Sequence, residues 1–368
     1  MTGHHISTKY ELSSAPDVKI IDPLADSRWD QFVENHPFGL ICHLSGWKRV
    51  LEASFSHMKG HYLVLTNHNN DSIRAALPVY EVKSIITGKR LVSIPFATNC
   101  DPLISANEDM KQLLNAAIEL SEKLGCSRIE IRALASGQLI QDGRIGSVVF
   151  NKTHQLSLEG GPEEIIKKFT RKARWTIKQS AKNGLEFQVA GNEKDVSEFY
   201  VLYFKTRKRL GLPPQPYLFF KLLWEIFSPS KHITLLFVRH EGRLVAGLLM
   251  FKFKDRCSWD YLALDEMANH LNVSYFGVWE AIKLACSEGY KLFDFGRTGI
   301  GNEGLMNFKG RWGTTIMDLP QYYYPKEVCL NLNSPEAATS YKIIKQISKN
   351  VPDPVFQLMG KFLYQHLG

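Results

Sequence analysis

The residues best equipped for chemistry crowd into one stretch, Lys291 to Thr315, which reads KLFDFGRTGIGNEGLMNFKGRWGTT. Asp294 interrupts a short apolar run of Leu292, Phe293 and Phe295. An acid there can orient a donor, act as a base, or cap the loop that follows through its own carboxylate. Gly296, Gly299, Gly301 and Gly304 come next and free the backbone to approach a ligand closely. Arg297 suits a phosphate, because a guanidinium meets two phosphate oxygens at once. Then comes Phe308-Lys309-Gly310-Arg311-Trp312-Gly313, a cation set between aromatics that can exclude water. Lys309 can stabilise charge developing on a carbonyl oxygen, or simply lay its stem along Trp312 at the surface. A buried strand ending in an acid and followed by a glycine loop is a common way for α/β proteins to build a site.

The elements that carry this stretch follow from periodicity. Strands are expected at Val18–Asp22, His61–Thr66, Ile73–Val82, Arg90–Ser93 and Ser127–Leu134, and helices at Asp26–Asn35 and Glu108–Leu124. Between the first strand and the second, Leu44, Trp47, Val50, Leu51 and Phe55 recur at helical steps behind Ser45. The pattern then starts again. A strand at Thr153–Leu158 and a helix at Pro162–Phe169 lead into a basic helix with Arg171, Lys172, Arg174, Lys178 and Lys182. Helices at Ser197–Leu210 and Tyr217–Phe227 flank GLPPQP, strands follow at Ile233–Arg239, Leu244–Phe253 and Ser258–Ala263, and a helix at Val273–Gly289 leads into the glycine-rich stretch, read as a loop. Helices near Glu336–Ser348 and Pro354–Leu367 end the chain. The expected division is a disordered lead-in at 1–17, a first domain at 18–152, a second at 153–325 carrying the motif, and a helical extension at 326–368.

A chain of 368 residues suits two domains. No apolar run approaches the ~20 residues of a membrane span, and the N-terminal residues lack the apolar core of a signal peptide. The six cysteines are scattered without metal-like pairing, which points to no metal and a reduced, cytoplasmic setting. A net charge of +8 and a pI of about 9.0 favour an anionic partner: a phosphorylated substrate, tRNA, or the acidic inner face of a membrane.

The pairing of FDFG with a downstream FKxxWG resembles the FemAB-like acyltransferases, in particular the exosortase- and exopolysaccharide-associated branch. The helix of Ser45 and Trp47, the basic segment around Arg174, the Thr206–Tyr217 block and the Asn333-Ser334-Pro335 start of the tail extend the likeness along the chain. The resemblance implies an α/β fold of tandem GNAT-like acyltransferase domains with a helical C-terminal extension. It also implies acyl or aminoacyl transfer to a cell-envelope precursor, a peptidoglycan or exopolysaccharide intermediate. Lys309 would lie near the reacting carbonyl with Asp294 as second catalytic candidate. Arg174, Arg207, Arg209, Tyr217, Gly296, Arg297, Gly304, Phe308 and Trp312 would bind substrate. Arg207 and Arg209 point to different faces of a helix, so at most one should be a direct ligand.

Acyl transfer needs a deprotonated nucleophile, a stabilised carbonyl oxygen and two substrates held in line. No tightly bound cofactor is expected, and the donor is an aminoacyl-tRNA or an acyl-CoA. The loop that binds pyrophosphate in acyl-CoA enzymes of this fold falls at Leu264–Asn272, which has no glycine, so the tRNA donor fits better. An acetyl-CoA-dependent N-acetyltransferase of a nucleotide sugar and a non-catalytic envelope-glycan-binding protein are the alternatives. The acceptor is expected to be an anionic small molecule or a lipid-linked glycan precursor, with peripheral contact at the inner membrane. An anion is expected to dock near Arg174, Arg209 and Arg297 together. Lys309→Met should keep the fold, its chain packing on Phe308 and Trp312.

Overall fold

The computed structural model describes residues 17–67, 71–85, 88–332, 339–364 and 366. The lead-in up to residue 16 and the Asn333-Ser334-Pro335 motif lie outside the described residues. In chain order the strands are β1 (Val18–Ile21), β2 (Met58–Thr66), β3 (Ile73–Ser84), β4 (Gly88–Ser93), β5 (Ile129–Arg132), β6 (Gly146–Ser157), β7 (Leu185–Val189), β8 (Ile233–His240), β9 (Arg243–Phe253), β10 (Arg256–Leu264), β11 (Leu292–Gly299) and β12 (Thr315–Tyr324). The helices are α1 (Arg28–Asn35), α2 (Ser45–Ser54), α3 (Asn107–Lys123), α4 (Gly161–Lys168), α5 (Arg171–Ser180), α6 (Glu193–Leu210), α7 (Tyr217–Phe227), α8 (Val273–Ser287), α9 (Glu303–Gly310), α10 (Thr339–Asn350) and α11 (Asp353–Tyr364). The chain divides into two compact units, residues 1–148 with 320–332 and 365–368, and residues 149–319 with 333–364.

In the first unit β1, β2, β3 and β4 pair antiparallel in that order, and β5 joins β4 in parallel after the crossover helix α3. The end of β12 closes this set, Gln321–Tyr324 running antiparallel to β5. In the second unit β7, β8, β9 and β10 repeat the antiparallel order, β11 joins β10 in parallel after α8, and β6 closes the set against β11. Both units therefore share one scheme of pairings, a parallel step in an otherwise antiparallel sheet. The closing strand comes from late in the chain for the first unit and from early in it for the second.

The core of the second unit explains how the glycine-rich stretch is held. Phe293, Phe295 and Trp312 lie with Phe169, Trp259 and the inner face of α8 (Val278, Ala281, Ile282, Ala285) in one apolar cluster. Each such large side chain contributes ~1.5–3 kcal/mol by leaving water. Helix α6 starts on a capping box of Asn192 and Asp195 and ends at Gly211, in the left-handed region at φ +69°. A Cβ on Gly211 would lie 2.0 Å from the Lys345 carbonyl oxygen, so this glycine also admits α10. Among the described residues no helix is long and apolar enough to cross a membrane.

Candidate active site

Strands β10 and β11 pair in parallel only from Arg256 and Leu292 to Ser258 and Asp294. Just beyond, each takes a bulge, β10 between Trp259 and Tyr261 against β9, and β11 between Asp294 and Arg297 against β6. Two bulges at one height turn neighbouring strands away from each other and open a gap in the sheet.

Asp294 braces the bulge of β11. Its Oδ1 accepts from the Thr153 hydroxyl (3.0 Å) and the Gly296 amide (2.8 Å), and its Oδ2 from the Gln155 side-chain amide (3.1 Å). Of the three roles open to this acid, the capping one is built. Gly296 sits at φ +70°, and a Cβ there would lie 3.2 Å from the Trp259 carbonyl oxygen, so the position needs glycine twice over.

Lys309 holds the same bulge from the other side. The stretch expected as a continuous loop is instead strand up to Gly299 and then helix α9, whose last turn carries Lys309 inward. The side chain is 4% exposed, and its Nζ donates to the Gly296 and Arg297 carbonyls at 2.8 and 3.1 Å. Burial pulls its pKa down to about 8 against the pull of the Asp294 and Asp260 charges, and the Arg297 charge lowers it further. Arg297 itself is exposed. Gly304 lies in the first turn of α9 with open space where a side chain would be.

His154 on β6 completes the surroundings. It is buried, its Nδ1 lies 3.3 Å from the Thr314 hydroxyl and its Nε2 3.2 Å from the Met306 sulfur. Burial, and next the Lys309 charge, push its pKa down to about 4, so the ring is neutral at pH 7.

The other expected ligands do not gather here. Trp312 is fully buried, stacked on Tyr275 and edge-on to Phe169, and it fastens α9 to the core. Phe308 is half-buried, edge-on to Tyr275 and Trp259. Arg207 points inward: its guanidinium donates to the Leu212 and Pro213 carbonyls, both at 3.0 Å, and to the Tyr364 hydroxyl at 3.4 Å. It holds the GLPPQP corner. Tyr217 opens α7 with its ring against Tyr200. The joint anion site of three arginines is corrected by the structure. Arg174 donates to the Lys167 and Phe169 carbonyls and lines a cavity of about 440 Å³ with Ile177, Phe276 and Trp279. Arg209 lines a different cavity, of about 740 Å³, with Lys205, Arg243 and Glu266.

Sequence reading missed Thr153, His154 and Gln155, because β6 alternates like any half-buried strand, and Asp260, whose place at a bulge no spacing announces. It also missed a buried trio in the first unit, Cys42, His43 and Cys100, whose ligating atoms lie within 4.8 Å of one another. The His43 Nδ1 accepts the Leu40 amide at 3.0 Å, so Nε2 keeps the ring's proton and donates it to the Asp101 carbonyl, also at 3.0 Å. A ring held in that tautomer offers no lone pair toward the two sulfurs.

Residues 167–310 match the model of the acetyltransferase (GNAT) domain, a span that runs from α4 to Lys309 and includes both bulged strands. The whole chain is also similar to the solved structure of FemX, with a TM-score of 0.69 at 14% identity, over 86% of this chain and 99% of that one. It is a GNAT-domain acyltransferase with the FemAB-like fold. This acyltransferase is also similar in fold to L-PGS from Bacillus licheniformis (TM-score 0.55, 12% identity, 89% and 98% covered). A tandem GNAT protein from the clavulanic acid biosynthesis pathway is more distant (TM-score 0.50, 9% identity, 84% and 98% covered). Among curated proteins none matches the acyltransferase.

Proposed function

We propose that this acyltransferase moves an aminoacyl group from aminoacyl-tRNA to an amine or hydroxyl of a cell-envelope precursor, a peptidoglycan or exopolysaccharide intermediate, on the cytoplasmic side of the membrane. The observation that carries the reading is the gap between β10 and β11 with the Lys309 ammonium beside it. An oxygen gaining charge in that gap meets a cation in a water-poor setting, where such stabilisation is strongest. The likenesses to FemX and to L-PGS support an envelope setting.

The donor follows from the turn after β10. Asp265 caps its own turn at the Met267 amide (3.0 Å), and Glu266 stands next to it at the start of a short helix with no glycine. Two carboxylates at that turn disfavour a pyrophosphate. The second reading, acetyl transfer from acetyl-CoA to a nucleotide sugar, is favoured by the GNAT acetyltransferase match itself. Thermal melting with aminoacyl-tRNA, acetyl-CoA and nucleotide-linked sugars separates them. A rise in Tm with aminoacyl-tRNA alone is expected; a rise with acetyl-CoA and a nucleotide sugar moves the assignment to the second reading.

A further inference from the structure

Helices α10 and α11 of the second unit leave an apolar row on the outside. The inward face of α11 carries Phe356, Gly360 and Tyr364 at four-residue steps. Phe356 packs edge-on to Phe204, Gly360 lies against the Pro214 carbonyl, and the Tyr364 hydroxyl meets Arg207. The opposite face carries Val355, Leu358 and Phe362, which are 44%, 66% and 46% exposed. On α10, Ile343 and Ile347 follow one turn apart at 53% and 51%. Outward helix faces are ordinarily polar, and single exposed apolar residues need no explanation. A three-residue apolar stripe set directly opposite the packed face, with two isoleucines on the adjoining helix, does need one.

The charges around the row say what covers it. Lys342, Lys345 and Lys349 recur at three- and four-residue steps on α10, and Lys361 lies on α11. Between residues 339 and 364 the one acid is Asp353, and it is paired with Lys208. We infer that the α10–α11 pair lies on an anionic phospholipid surface, its apolar row entering the boundary between headgroups and acyl chains and its lysines meeting the phosphates. A second copy of the chain is a poorer occupant, because a two-fold contact would set these lysines near their own counterparts. The base of α11 is close to the site: the Arg297 charge acts on Tyr364. The docking rests on this surface alone; that it delivers a lipid-linked acceptor to Lys309 rests on the function proposed above.

The test is co-sedimentation of the full chain, without substrates, with phosphatidylcholine vesicles that do or do not contain phosphatidylglycerol. Binding is expected only with phosphatidylglycerol, and it should weaken with added salt. Val355→Ser with Leu358→Ser should weaken it roughly tenfold or more. Lys342→Gln with Lys349→Gln should weaken it roughly tenfold at low salt. Both pairs of positions are exposed, and a melting curve on each variant checks the fold. Three results overturn the inference: no sedimentation with anionic vesicles, unchanged binding of the Val355/Leu358 variant, or a dimer by light scattering that this variant dissolves. Failed acyl transfer to soluble acceptors with intact vesicle binding would instead count against the proposed function alone.

Discussion

Lys309 has a structural and a chemical duty, and its charge serves them differently. Its pKa of about 8 lies below the ordinary 10.5, because burial disfavours the ammonium. Stabilising an oxyanion requires the ammonium, so kcat should be level below pH 8 and fall as pH rises through about 8. A lysine acting as a base would give the reverse slope. Stability should move the other way. Between pH 8 and 10.5 the unfolded chain binds the proton that the folded one has released, so this group makes the fold more stable as pH rises. The expectation that Lys309→Met keeps the fold stands, but for a different reason. The methionine loses two hydrogen bonds, each worth ~0.5–1.5 kcal/mol, and sheds a desolvated charge that costs a similar amount. Turnover should drop by a few hundredfold, the usual loss on deleting one oxyanion donor. Melting curves and a pH–kcat profile on both proteins decide; a rate that climbs through pH 8 would reassign the lysine.

At the scale of the element, the bulge of β11 is what the motif builds. Gly296→Ala forces a left-handed residue carrying a Cβ against the Trp259 carbonyl and should cost ~1–3 kcal/mol, with activity falling as the bulge shifts. Gly304→Ala meets open space inside a helix and should leave Tm within a degree or two or raise it slightly. A loss of kcat/KM in that stable variant would show that substrate approaches Gly304; full activity would remove it from the site. The contrast also shows what was legible in the sequence. Tyr217–Phe227 was readable to the residue, because its apolar positions repeat at helical steps between clear breakers. Helix α9 was not, because glycines at 299, 301 and 304 outweighed the local signal and the Asn302 cap, which holds the Leu305 amide, was hidden among them. Strands β7 and β12 were overlooked for another reason: both are half-exposed, so neither shows an apolar run. Arg207 and Arg209 were correctly assigned to different faces, but only the packing could show that Arg207 is the one turned toward backbone carbonyls.

At the scale of the whole molecule, two units with one scheme of pairings raise the question of which one works. In the first unit the parallel pair β4 and β5 is followed by the loop that holds Cys100 and Asp101, and that loop folds back on the end of β5. The Cys100 amide bonds the Arg132 carbonyl at 3.0 Å, and one oxygen of the Asp101 carboxylate accepts the Leu134 and Ser136 amides at 2.9 and 2.8 Å. The chain's own groups thus occupy the place where the second unit has its gap. Two carboxylates then brace corresponding regions, Asp101 beside β5 and Asp294 within β11, and they make a controlled comparison. Asp101→Ala strips two backbone amides and the Ser136 hydroxyl of their buried acceptor and should cost roughly 3–5 kcal/mol, at ~1–3 kcal/mol for each buried group left unpaired. At a temperature where the variant is still folded, kcat should match the parent. Asp294→Ala removes three donors' acceptor as well and should lower stability by a similar amount, but here the bulge and the Lys309 ammonium shift together and kcat should fall at least tenfold. The measurement is turnover per folded molecule, with the folded fraction taken from a melting curve run in the assay buffer. Equal losses of kcat in the two variants would bring the first unit into the reaction and end the assignment of chemistry to the second unit alone.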